Sequence, residues 1–541
     1  MIGVSESNEN RIYILEENQG VFSGIYVSNN AGETFSKIHH GNKNYFGYSS
    51  SADDSDGQAP RDMDITVDPT NADIVYISGI LSWRSSDGGN SFTISSQWIP
   101  STAADENIGY CHADIDITEL VNGTLFVGSD GGIFKAANPN NITSSYYEDL
   151  SEGLGIRQFY KIGVSNSSDE IITGGSQDNG TSVLTGGVWK DWLGADGMET
   201  FVDKNNSDVL FGTSQFGILY ISKNRGNSYL GFAEPPNKAG SHNGANWIVP
   251  FEQDPIVEDK VYVAYNAVFS RTKNSDELFD WSDWSQISQQ FNGNIDQFKI
   301  APNNNSRMYL SIDENFYKTS DGGQTDWVQV TLPNNTGNIN AIAINKDNAN
   351  MVALAVSGSN KVIISENSGA SWSILKGNLP DFSASAITFY GEDLILGMNY
   401  GVFYNDADNR SNWASFSDNL PNVRVTELEV NYALNKVYAA TYGRGLWAAQ
   451  LDPSTLSTDK YVLENIEAYP NPVNDAILLK LPHSLNASIK LYNSSGQIVY
   501  YAKKQLLSPN HTIPVNHLAS GIYVLRLTSD NHTAALKIVK N

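Results

Sequence analysis

The chain contains a single cysteine, Cys111, in 541 residues, so no disulfide can form within it. That thiol reads as a small buried hydrophobe rather than a nucleophile. Basic residues are scarce, 34 Lys and Arg against 60 Asp and Glu, for a net charge of −26. A field of that sign repels polyanions, which excludes nucleic acid and anionic membrane surfaces as partners. No run of 18 apolar residues occurs, so no helical membrane span is expected. Long amphipathic helices are missing too, as are the phosphate-loop, dinucleotide, HExxH and GxSxG signatures. The composition instead favours turns and strands: 45 Gly, 27 Tyr and 11 Trp, with Asn and Ser between short apolar runs.

One turn recurs. "SNNAGETF" at Ser28, "SSDGGNSF" at Ser85, "SKNRGNSY" at Ser222 and "SENSGASW" at Ser365 share the pattern Ser-x-Asp/Asn-x-Gly-x-Thr/Ser-aromatic. "TSDGGQTDW" at Thr319 fits with one inserted residue. Asp or Asn caps its own backbone, Gly takes a positive φ, and the aromatic ring anchors the hairpin. These turns resemble the Asp-box (sialidase-type, BNR) repeat of β-propellers, which implies a structural rim position rather than catalysis.

A second marker, an apolar strand running into a polar turn, recurs ten times, beginning at Gly24, Leu81, Gly132, Asn179, Gly217, Ala267, Asn315, Lys361, Gly401 and Gly443. Successive markers lie about one four-stranded propeller blade apart. Ten blades could make one ring or two propellers. "YEDLSEGLGIRQFYKIGVS" (Tyr147 to Ser165) reads as a boundary, with three markers before it and seven after. The expectation is therefore an all-β protein: three blades of a second propeller at 1–150, a seven-bladed β-propeller at 151–450, a linker at 451–462, and a small Ig-like β-sandwich at 463–541. Met1 leads straight into "IGVSESNENRIYILEE", which reads as a mid-blade strand rather than a signal peptide. The expectation is a truncated chain, lacking about four upstream blades.

From Tyr461 onward there are seven Lys and Arg against four Asp and Glu, so the charge reverses sign. "YPNP", "YNSSGQIV", "SGIYVLRL" and "KIVKN" occur in order over this tail. They resemble the type A C-terminal sorting domain of Bacteroidetes type IX secretion cargo. That resemblance implies passage through the outer membrane, partnership with the type IX machinery, removal of the domain, and release or attachment at the cell surface. The reversed charge and the polar linker predict an independent sandwich of about seven strands that touches the propeller little.

Candidate chemistry sits in loops. "GGSQDNGTS" (Gly174 to Ser182) and "WLGADGMETFVD" (Trp192 to Asp203) offer Asp178 and Asp196, which a strand pair could bring to one face. "CHADIDI" and "GSDGG" offer His112, Asp114, Asp116 and Asp130. His112, Asp114 and Asp116 at i, i+2, i+4 would share one strand face, an arrangement compatible with a hard cation. A hydrogen-bonded structural cluster is the simpler reading, and no metal or cofactor is expected. The pattern "HAD…GSDGG" followed by "QFY…GGSQDNGT…GADGM" resembles exported two-propeller proteins of the BNR-repeat, glycosyl-hydrolase-like group. More distantly it resembles xyloglucan-hydrolysing glycosidases and the sortilin propeller. The glycosidase resemblance implies a carboxylate pair across a cleft, with Asp196, then Asp178, as the residues on this side. A sialidase reading needs an arginine triad, and the chain has 11 Arg and no FRIP-like motif. The other reading is a propeller that binds glycans or proteins, with Trp281 and Trp284 of "FDWSDW" as an aromatic platform and Asp130 and His112 as polar contacts.

Overall fold

The computed structural model describes residues 1–232, 235, 244–272, 284–451, 466–494, 496–529 and 532–541. Almost everything regular in it is β, and the α-helix among these residues, Pro100–Asp105, has six residues. No described helix is long and apolar enough to cross a membrane. Two compact units result, Met1–Ile156 and Arg157–Asn541.

The first unit contains three four-stranded antiparallel sheets, spanning Ile2–Ile38, Asp64–Ile94 and Ile115–Asp149, each a simple meander in sequence order. A cluster of Tyr13, Leu15, Ile25, Ile65, Ile77 and Trp83 fills the space between the first two. Cys111, Ile115, Val127 and Phe134 fill the next with Tyr76. Cys111 is 1% exposed, and burial pushes its thiol well above the ordinary range, so it is an apolar core group.

The second unit begins with six four-stranded meanders and one three-stranded sheet, spanning Phe159–Leu193, Gly197–Phe232, Phe251–Gln286, Gln297–Val330, Ile339–Ile374, Ala384–Ser415 and Val425–Gln450. Each leading strand packs on the leading strand of the next sheet, and the last, Val425–Asn431, packs on the first, Phe159–Val164. Side chains fill the interfaces in the same cyclic order. Tyr309, Phe316, Ile342 and Leu354 join the fourth and fifth sheets. Phe159, Ile162 and Ile172 meet Tyr438 and Ala440 between the seventh and the first. Sheets covered on both faces explain why second strands such as Val352–Val356 are buried at every residue, while fourth strands such as Ser373–Ile374 are exposed.

Polar bonds complete this return. Ile162 N–H donates to Glu427 Oε2 at 2.6 Å, Thr426 Oγ1 donates to Phe159 O at 2.7 Å, and Asn431 Nδ2 donates to Ser165 O at 2.8 Å. The N–H groups of Gly443 and Gly445 both donate to Arg157 O at 3.1 Å.

Each of the ten sequence markers lies on the third strand of a sheet, and each of the five repeated turns joins a third strand to a fourth. Their bonds repeat as well. Gly89 N–H donates to Ser85 Oγ at 2.9 Å and Ser91 N–H to Asp87 Oδ1 at 2.9 Å. In the Ser365 turn, Gly369 N–H donates to Ser365 Oγ at 2.7 Å and Ser371 N–H to Asn367 Oδ1 at 2.8 Å. Gly369 has φ +82°, a conformation that a Cβ would strain. The aromatic anchor is uneven: Trp327 is buried, whereas Tyr229 is 49% exposed.

The tail forms two sheets, one of three strands and one of four, around Val473, Ile477, Leu491, Leu525 and Leu527. The expectation that it touches the preceding sheets little does not hold. Alternation along Tyr492 and Val524 turns them away from the tail's own core. Both are buried in one cluster with Phe382, Leu396 and Trp413, and Tyr400, Phe403 and Ala535 pack against it. The expected linker, 451–462, lies outside the described residues apart from Leu451.

Candidate functional site

The seven leading strands of the second unit point their side chains into a common central space, which has two chemically different ends. Toward the strands' C-terminal ends lies a cavity of about 410 Å³ lined by residues of all seven. Successive strands contribute Lys161, Glu199, Glu252 and Lys299, and the last adds Glu427 and Glu429. Lys161 Nζ lies 3.2 Å from Glu427 Oε1 and 3.9 Å from Glu199 Oε2, and Lys299 pairs with Glu252. Burial pushes the Glu199 carboxyl up to about 8, which the Lys161 charge only partly offsets. Burial, then the Glu427 charge, pushes Glu429 up to about 7. Burial lowers Lys204, whose Nζ donates to Gln253 O at 3.1 Å. Lys161 remains a cation because Glu427 and Glu199 outweigh its own burial. The Lys161–Glu427 and Lys299–Glu252 ion pairs run from strand to strand, so they hold the strands in register.

The opposite end, at the strands' N-termini, opens into a cavity of about 460 Å³ lined by Tyr160, Asp296, Asp313, Asn338, Arg424 and Tyr442 among others. Here the chemistry is aromatic. The Tyr160 and Tyr442 rings lie 5.6 Å apart, and both hydroxyls donate to Gln177 Oε1. Trp247 Nε1 donates to Tyr160 Oη at 3.1 Å, and its ring is 39% exposed. Phe216 meets the Trp247 ring edge-on at 5.2 Å. Phe216 has φ +63°, held by its N–H donating to Trp247 O at 3.2 Å. A bulky residue in that region costs of order 1–3 kcal/mol and is concentrated at functional sites. Asp296 accepts from Asp313 N–H at 2.6 Å and Asn246 Nδ2 at 2.9 Å, and burial raises its carboxyl above the ordinary range.

Asp178 and Asp196 are brought together beside this aromatic group. Asp196 Oδ1 accepts from Asp178 N–H at 2.8 Å, and Asp178 Oδ1 accepts from Gln177 Nε2 at 2.7 Å. Asp178 has φ +55°, so Asp196 caps a left-handed turn. Trp284 is not part of an exposed platform. It is 6% exposed and packs with Phe211, Phe251 and Phe269, because its apolar ring closes an inter-sheet core. Trp281 lies outside the described residues.

His112, Asp114 and Asp116 do not share a strand face. The strand starts at Ile115, and Asp114 precedes it with φ +61°. His112 packs over Gly131 and approaches Ala113 O at 3.1 Å through Nδ1. Asp130 Oδ1 accepts from Arg61 Nη2 at 2.8 Å, and Arg61 also pairs with Asp116 and Asp62. Asp62 is 1% exposed, and burial followed by the Asp114 charge pushes its carboxyl up to about 7.

The mouth residues Tyr160, Phe216, Trp247 and Tyr442 were not singled out from the sequence. They come from different sheets, and their one local signal is that Tyr160 and Tyr442 flank the Arg157–Gly443 junction.

Residues 467–541 match the secretion system C-terminal sorting domain. Ulvan lyase NLR42 of Nonlabens ulvanivorans is 28% identical over 99 residues, 18% of this chain and 18% of its own length. PorZ, an essential surface component of the type-IX secretion system of Porphyromonas gingivalis, aligns over 100% of this chain and 75% of its own, with 15% identity and a TM-score of 0.49. The GH74 enzyme of Niastella koreensis aligns over 100% of this chain and 83% of its own, with 15% identity and a TM-score of 0.28. The tail is thus a C-terminal sorting domain of the type IX secretion system, and the protein that carries it is cargo, secreted or held at the cell surface.

Proposed function

We propose that this is an exported carbohydrate-binding β-propeller protein. In this reading residues 157–451 are a closed seven-bladed propeller with Asp-box hairpins, and residues 1–156 are three blades of a second propeller. The tail is an Ig-like sandwich read by the type IX machinery. Carbohydrate binds at the N-terminal mouth of the central channel. The observation that carries the proposal is the meeting of Tyr160 and Tyr442 on Gln177, with Trp247 bonded to Tyr160, beside a cavity rimmed by Asp296, Asn338 and Arg424. Flat aromatic faces stack on the apolar faces of sugar rings, and a few fixed amides and carboxylates read the hydroxyls.

Binding is preferred to hydrolysis because both carboxylates are engaged as acceptors in the turn, Asp196 by the Asp178 N–H and Asp178 by Gln177. A glycosidase needs one carboxyl to give a proton and another to attack or to activate water. Titration of the purified protein against a panel of soluble polysaccharides by calorimetry tests the reading. Saturable binding that Trp247→Ala and Tyr442→Ala both weaken at least tenfold supports it. Binding that neither variant changes moves the ligand elsewhere, and sugar release abolished by Asp196→Asn restores the hydrolytic reading.

A further inference from the structure

The sorting tail sits beside the mouth just described. We infer that the docked tail partly covers this mouth, so that access depends on whether the tail stays seated; the consequence for ligand rests on the carbohydrate reading above.

Three observations support it. The first is apolar. Tyr492 and Val524 are 8% and 2% exposed, buried with Leu396 and Trp413 of the sixth sheet and with Phe382 just before it, although their alternation turns them away from the tail's own core. A cavity of about 380 Å³ remains between the two faces, lined by Tyr400 and Phe403 on one side and Val524 and Arg526 on the other. That void marks a docked contact, packed less tightly than a domain core.

The second is electrostatic. The tail from Tyr461 onward has seven Lys and Arg against four Asp and Glu, a balance of +3, so the preceding 460 residues carry −29 of the total −26. The same face holds Lys537, whose charge, after that of Lys361, helps lower the Asp381 carboxyl. Opposite charge favours the seated state and is screened by salt.

The third places the tail at the mouth. Its hairpin turn is closed by Gly496 N–H donating to Asn493 O at 3.0 Å and Gln497 N–H donating to Asn493 Oδ1 at 2.9 Å. Gly496 has φ +75°, and a Cβ there would stand 2.9 Å from Asn422 O. Ser494 of this turn lines a cavity of about 340 Å³ with Asn422, Arg424, Tyr442 and Arg444. Arg424 and Tyr442 also line the mouth. A ligand entering over Tyr442 would therefore meet the turn.

Site-directed thiol labelling of the full chain tests this without assuming a ligand. The native Cys111 is 1% exposed, so an Asn422→Cys thiol would be the reactive one. Its labelling by a maleimide dye is compared with the tail seated and with it loosened by Val524→Asp or, more gently, Tyr492→Ala. Hydrogen exchange at Tyr400 and Phe403 reports that the tail has left. The expected result is labelling at least tenfold faster once exchange shows release, and faster again at high salt. Labelling that stays unchanged in a variant whose Tyr400 and Phe403 amides have lost protection overturns the inference. In the same samples, tighter binding of a xyloglucan oligosaccharide after release extends the cover to ligand. Faster labelling with no sugar bound in either state leaves the cover standing and sinks the carbohydrate reading.

Discussion

The two ends of the central channel are built from the same seven strands yet carry opposite chemistries. Toward the C-terminal ends, Lys161 meets Glu427 and Glu199, and Lys299 meets Glu252, across neighbouring strands, with Glu429 lining the same cavity. At the N-terminal ends, Tyr160 and Tyr442 share one glutamine, and Trp247 joins them through the Tyr160 hydroxyl. Tyr160 and Lys161 are adjacent residues: Tyr160 lines the aromatic end, and Lys161 reaches from there to the charged end. The difference teaches that a ring of strands separates holding from binding along its axis. Charged pairs in the interior fix register, where water is scarce and a lost partner is costly. The aromatic end is fed by loops, where side chains can vary without disturbing the strands.

The largest expected effect is at the charged end. Glu427→Ala removes the acceptor of Ile162 N–H and leaves Lys161 with Glu199 alone. Breaking such a buried pair costs about 3 kcal/mol. In a unit of this size that is a Tm loss of about 5 °C, read by calorimetry. An unchanged Tm would mean that the return of the last sheet onto the first does not depend on this pair.

A pH series sharpens the same point. Burial raises Glu199 from 4.5 to about 8 in the fold, so the folded state holds its proton more tightly than the unfolded chain. Its stabilising share is full below about 4.5 and is lost as pH rises through about 8. Glu199→Gln should match the parent at pH 5 and exceed it by about 3 °C at pH 9, where the parent must ionise a buried acid. A difference that does not vary with pH would place the cost elsewhere.

At the aromatic end, Trp247→Ala should weaken carbohydrate binding about tenfold through lost stacking. Trp247 is 39% exposed, so its Tm should shift by less than about 1 °C. A large Tm loss would make Trp247 a packing residue and erase the distinction between the two ends.

The smallest effect concerns a repeated turn. Ser365→Ala removes the acceptor of Gly369 N–H and costs about 1 kcal/mol, seen as a shift of about 2 °C with binding unchanged.

Much of the architecture was legible because it is local and periodic. The Ser-x-Asn-x-Gly turn specifies its own bonds within eight residues, from Ser365 Oγ to Gly369 N–H and from Asn367 Oδ1 to Ser371 N–H. The apolar run after each marker reads as a strand because neighbouring sheets cover both faces. The sorting tail was legible from four short motifs over its length, and Tyr492 and Val524 stand inside two of them. What stayed hidden depends on partners far away in the chain. Trp284 looked like a surface aromatic in a polar segment, but the second and third sheets enclose it. Asp114 and Asp116 looked like strand neighbours, but a left-handed residue before Ile115 breaks the alternation.

The sequence by itself therefore determined the β class, the repeated hairpin, the ten strand markers and the export tail, since each rests on interactions within a few residues. Only the tertiary structure decided that Tyr160 meets Tyr442 and Trp247, that Lys161 pairs with Glu427, and that Tyr492 of the tail is buried against Phe382 and Trp413 rather than left in water. Those contacts span up to 282 residues of sequence between Tyr160 and Tyr442. No local pattern encodes a meeting at that separation. It follows from how many twisted sheets pack before the last leading strand comes back beside the first.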